Sequence, residues 1–201
     1  MNFSDIDFSK VAQILNGMSD EEKQQMADMA QNMMNNMNKP QEPVEEEQES
    51  FYDFLNIDEE EYADIPGSVL DEIEQAVEME QYYEDVPESD FSASALFYAK
   101  AVLNMARKYQ YPIFSNVFEG FKNPATTTLY NFLFPLMNDE NIHKLVDEGF
   151  SADWVQIRMV LQQMYVVLNR AEYDRVSYED LQNVKNVLFG QKGLLFMKEC
   201  I

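Results

Sequence analysis

Only one cysteine, one histidine, six glycines and seven prolines are spread over 201 residues, and each shortage rules something out. A lone thiol, Cys200, can form neither an internal disulfide framework nor a cysteine-based zinc site, and it points to a reducing compartment. A lone imidazole, His143, leaves the Glu140/His143 pair without the second E-x-x-H pair that a carboxylate-bridged di-iron bundle requires. The H-E-x-x-H zinc motif fails on the same count. Any hydrolytic triad with histidine as base would have to use His143 as well. A nucleophile elbow, a Walker loop and a dinucleotide fingerprint are all missing. In NIDEEEYADIPG the glycine comes last instead of at the sixth position that a calcium loop needs. The expectation is a chain with no catalytic residues, no metal and no cofactor, and hence no enzyme.

Long apolar runs are missing too. No stretch approaches eighteen consecutive apolar residues, so no membrane-spanning helix is expected. The start, MNFSDIDFSK, has no basic segment followed by an apolar run. Cys200 stands second from the end, whereas prenylation needs it fourth from the end. These features read as a soluble, cytoplasmic protein. Sparse glycine and proline suit long helices better than a many-turned β fold.

The most informative shortage is of positive charge. The formal net charge is −23, and residues 1–90 account for all of it, with 26 Asp and Glu against Lys10, Lys23 and Lys39. Residues 91–201 are balanced, with 11 acids and 11 bases. Between Lys39 and Lys100 twenty carboxylates accumulate without one cation. Such a field repels phosphates and anionic headgroups, which excludes direct nucleic-acid or membrane-surface binding, and it favours encounter with a basic protein.

What is present is apolar material for a core: 46% hydrophobic residues, including 14 Phe, 11 Tyr and 13 Met. Its spacing is helical throughout. Phe8, Val11, Ile14 and Leu15 mark a first helix. Ser19 and Glu22 form a capping box for a second, ended by Pro40 and Pro43. Ser68 opens a helix through about Tyr83, with Val69, Ile73 and Val77 on one face. Ser89 or Asp90 caps ALFYAKAVLNMARKY, which Tyr111-Pro112 should close. PIFSNVFEGF follows, with Phe114, Phe118 and Phe121 at i, i+4 and i+7. Asn123 and Pro124 should start the next helix, which Pro135 kinks or ends. A short helix lies around Asn141–Val146. Ser151 opens the longest, with a stripe of Trp154, Ile157, Val160, Leu161, Met164 and Leu168. Ser177 caps YEDLQNVKNVLF, and LLFMKECI reads as a last helical turn or a strand. Gly190–Gly193 (GQKG) matches an RNA-binding loop superficially but lacks the flanking strands, so it reads as a turn.

The predicted fold is all-α: a bundle of about six helices at 67–201, an N-terminal helical hairpin at 1–38, and an acidic, largely irregular connection at 39–66. Two stretches carry the functional expectations. Met26, Met29, Met33 and Met37 make one stripe of the second helix, a candidate hydrophobic groove or homo-oligomer face. Phe51, Phe54, Leu55 and Ile57 form an apolar island among carboxylates. With Glu59, Glu60, Glu61 and Tyr62 they are the candidate partner-binding residues, either docking into a partner's groove or folding back on the protein's own bundle. The acidic flank of Tyr62 also matches, by composition, the preference of some tyrosine kinases. The function expected is non-enzymatic: an acidic module that binds a basic protein partner, as an inhibitor or immunity-type antagonist masking a nucleic-acid-binding surface. The alternatives are an adaptor or chaperone-like holder, and a helical structural subunit that oligomerises through the Met-rich hairpin.

Overall fold

The computed structural model describes residues 50–83, 86 and 88–199. The predicted hairpin at 1–38, its methionine stripe and residues 39–49 lie outside these. Among the described residues all regular structure is helical and there is no strand. The compact unit begins at Glu49, so the second half of the acidic connection belongs to the same body as the helices after it.

That half is not irregular. Phe51–Leu55 forms a short helix, α1, with the Ser50 side chain accepting from the Tyr52 amide. Asn56, in the left-handed region at φ 52°, ends it and returns its own N–H to Asp53 and Tyr52 carbonyls. Asp58 then caps Glu59–Tyr62, α2, accepting from the Glu60 amide at 2.8 Å. Carboxylates at the first turn suit the positive end of the helix dipole, which is why a stretch so rich in glutamate still turns here.

Gly67–Tyr82 is α3, and it buries Val69, Ile73, Ala76, Val77 and Glu80. Ser92–Met105 is α4, which turns Ala95, Tyr98, Ala99, Ala101, Val102 and Met105 inward. The alanines let the two backbones approach, and α3 packs on α4 more extensively than any other pair of elements. Asp90 organises the entry to α4, accepting from the Ser92 and Val176 amides.

Tyr111-Pro112 does not close this helix. The chain widens into a π turn at Ala106–Gln110, with the Tyr111 amide reaching back to the Ala106 carbonyl. It then continues as α5, Tyr111–Val117. Pro112 falls in the first turn of the new segment, where a missing N–H costs little. Phe118 and Phe121 lie beyond the end of α5, so the expected helical spacing does not hold. The three phenylalanines meet anyway because the chain folds back at Gly120 (φ 101°). Phe114 stands 5.3 Å from Phe118, 5.4 Å from Phe121, 5.9 Å from Phe132 and 5.9 Å from Trp154.

Asn123 caps only a 3-10 turn, Pro124–Thr126, and the helix proper waits for Thr128. The Thr128 amide donates to Asn131 Oδ1 at 2.9 Å, and α6 spans Leu129–Leu136, with Pro135 one residue before its end. Asp139–Asp147 is α7, stopped before Gly149 at φ 90°. Trp154–Tyr173 is α8, capped by Asp153 instead of Ser151. Its stripe is buried as expected, except that Val167 sits deeper than Leu168. Tyr178–Lys185 is α9, with the Ser177/Asp180 capping box in place. A second π turn, Asn186–Gly190, leads to α10, Gly193–Phe196. LLFMKE therefore begins as a helical turn and not a strand.

Candidate functional site

The apolar island is packed on the protein's own core. Phe51, Tyr52, Leu55 and Ile57 lie half-buried against it, and Tyr62 and Ile65 are buried outright. Phe54 lies beneath the Lys185 ammonium, which sits 4.6 Å from the ring centroid. Three lysines of the C-terminal region hold the segment down. Besides Lys185 over Phe54, Lys192 pairs with Glu61, and Lys198 pairs with Asp64 at 2.9 Å. The Lys198 hydrogen bond and charge keep the Asp64 carboxyl below the usual carboxylate range.

Burial pushes the Tyr62 phenol up to about 12, with the Glu61 charge adding to it. An enclosed, neutral phenol is not available to a kinase in this arrangement, and its hydroxyl makes no hydrogen bond within the protein. Of the residues expected to bind a partner, the apolar ones and Tyr62 face inward. Glu59 and Glu60 stay in water, and Glu61 is engaged by Lys192.

The outward side of the segment is a different surface. Asp53, Asp58, Glu59 and Glu60 are exposed, and on α3 so are Asp71, Glu74 and Glu78, at i, i+3 and i+7. The two groups adjoin at Tyr52, whose phenol is raised first by burial and then by the negative charges of Glu59 and Glu74. The contribution of α3 was missed as a site in the sequence, where these acids counted only toward a regional total. Their helical spacing on the side away from Val69, Ile73 and Val77 was the available signal.

A second candidate site has no counterpart among the sequence expectations. A cleft of about 300 Å³ opens between α4, α6 and α8, walled by Leu96, Leu103, Leu129, Tyr130, Tyr165 and Leu168. Lys100, Thr128, Asn169 and Glu172 form its polar edge. Glu140 and His143 are both exposed on α7. Among the described residues no group of three or more His, Cys, Asp or Glu side chains is placed to hold a metal ion. Nor is any described helix long and apolar enough to cross a membrane.

Comparison with family models, with curated proteins and with solved structures finds no match for this chain.

Proposed function

We propose that the protein is a non-enzymatic interaction module that presents an acidic face to a basic protein partner. The observation that carries this reading is the exposed array Asp53, Asp58, Glu59, Glu60, Asp71, Glu74 and Glu78, gathered on α1–α3 with no lysine or arginine between Lys39 and Lys100. Carboxylates fixed on helices present charge at set spacings, and that gives register as well as attraction. In its sharpest form the module is an inhibitor or immunity-type antagonist. Its carboxylates stand where nucleic-acid phosphates would, and so mask a phosphate-binding surface.

The test is association with a fluorescent arginine-rich peptide, free and pre-bound to duplex DNA. Binding should weaken steeply with salt, and the protein should release the DNA. Replacing Glu59, Glu60 and Glu74 together by lysine should slow association about tenfold at low ionic strength. Binding that survives this triple replacement unchanged would remove the acidic face from consideration.

A further inference from the structure

The outward face of α8 is apolar where an exposed helix usually carries charge. Val155, Met159, Val166 and Tyr173, at i, i+4, i+11 and i+18, keep between 42% and 83% of their surfaces in water. These intervals bring all four within about 40° of one another around the helix, away from its buried stripe. Gln162 and Asn169, also exposed, fill the turns between them. Between Arg158 and Arg170 the chain has no charged residue, although charged residues make up 25% of the sequence. On the adjoining α6, Tyr130 lies 5.5 Å from Tyr165, and the exposed Phe134 lies 5.6 Å from Tyr130. Helices bury a face of this kind against another helix.

The pattern along α8 is that of a coiled-coil seam. Met159, Val166 and Tyr173 take one of its two alternating positions, and Val155, Gln162 and Asn169 take the other. Arg158, Tyr165 and Glu172 run beside the seam, with the two ionic members at opposite ends. Arg158 donates through Nη1 to the Leu136 carbonyl and, at 3.2 Å, to Asp139 Oδ1. Those bonds fix the guanidinium at its end of the face and leave the other arm of its fork to donate. Glu172 is exposed at the far end.

We infer that a second copy of this chain covers the face, α8 pairing antiparallel with α8 across a two-fold axis. In that register Tyr173 of one copy meets Val155 of the other, Asn169 meets Met159, and Val166 meets Gln162. Arg158 of each copy then stands beside Glu172 of the other, once at each end of the contact. Opposite charges at opposite ends of one stripe make it complementary to itself, and that identifies the occupant. A parallel pairing would leave the two groups about 21 Å apart along the axis and join neither. α3 and α8 both pack on α4, so the acidic array of α1–α3 is about a helix diameter, 10 Å, removed from this contact, against a screening length of about 8 Å at physiological salt. The contact uses none of the residues of the acidic face.

Sedimentation equilibrium of the full-length protein between about 1 and 100 µM should show the mass rising with concentration from one copy toward two. Val166→Glu and Glu172→Arg should each weaken the association by about tenfold without shifting the thermal midpoint of the dilute protein, since both side chains are exposed. Arg158→Glu should weaken it as much. A mixture of the Arg158→Glu and Glu172→Arg proteins should recover most of the lost association, because both ion pairs re-form with their signs exchanged. A folding defect in either protein could not produce that recovery. A single-copy mass at every concentration would overturn the inference, as would association indifferent to Val166→Glu or a mixture no heavier than its components. So would association lost only with Met29→Glu and Met33→Glu, which would give it to the predicted methionine stripe instead.

Discussion

At Glu80 a carboxylate that is only 2% exposed sits between helices, its Oε1 accepting from Lys185 Nζ at 2.8 Å and from Gln182 Nε2 at 3.1 Å. Lys185→Met should therefore destabilise the protein by about 3–5 kcal/mol in urea unfolding, because it leaves a buried charge without its partner. Adding Glu80→Gln should recover most of that loss, a coupling that a double-mutant cycle reads directly. Tyr62 and Tyr98 present the opposite case, buried hydroxyls that make no hydrogen bond within the protein. Burial raises both phenols, Tyr62 to about 12 and Tyr98 well above 10.0, each with a nearby carboxylate adding to the effect. Between pH 10 and 12 the unfolded chain ionises these tyrosines while the folded chain cannot, so stability present below pH 10 is lost as pH rises. Tyr62→Phe should hold its stability further into alkali, and at neutral pH it should gain about 1 kcal/mol by removing an unpaired buried group.

Elements here are set by single residues at their ends. Gly193 opens α10 where a Cβ would stand 2.4 Å from the Val187 carbonyl oxygen and 2.5 Å from Val160 Cγ2. Gly193→Ala should cost about 1–3 kcal/mol by thermal melting, because a backbone oxygen of the preceding π turn cannot swing aside. Asp90 ties α4 to the extended loop before α9, and Asp180 closes the cap of α9. Burial pushes both carboxyls up, but it is outweighed. Hydrogen bonds from Ser92 and Val176 with the Arg175 charge act on Asp90, and Ser177 and Arg170 act on Asp180, so both are held below 3.8. The unfolded chain therefore takes up protons first, and stability present above about pH 4 should fall as pH drops below it; Asp180→Asn should flatten that decline. Most elements were legible in the sequence because their buried faces recur every three or four residues, as along α3 and α8. Ser177 and Asp58 are both legible as caps by residue type and spacing. The π turns were not legible: Ala106–Gln110 and Asn186–Gly190 look like ordinary helix, and only packing against the rest of the core decides where a helix takes an extra residue. For the acidic segment the sequence left two docking partners open. The lysines that settle its place, Lys185, Lys192 and Lys198, lie more than a hundred residues away and leave no local trace. The cleft was hidden for a related reason, since the walls come from three separate helices.

For the molecule as a whole, the charge imbalance acts on stability as well as on recognition. Twenty-three net negative charges repel one another, and the excess is gathered in the first 90 residues. Adding a simple salt should raise the thermal midpoint by a few degrees, although it screens the surface pairs Lys192–Glu61 and Lys198–Asp64. Loss of midpoint with salt would mean that these pairs outweigh the repulsion. They have a further consequence, in time. The bonds joining Glu61 to Lys192 and Asp64 to Lys198 span 131 and 134 residues. Contacts of such long range must wait for the whole intervening chain to be ordered, and they form late. During synthesis these two ion pairs cannot form until Lys192 and Lys198 have been made, whereas the packing of α1 on the neighbouring α3 needs no such wait. For that interval the carboxylates that flank residues 51–65 oppose their aggregation by mutual repulsion.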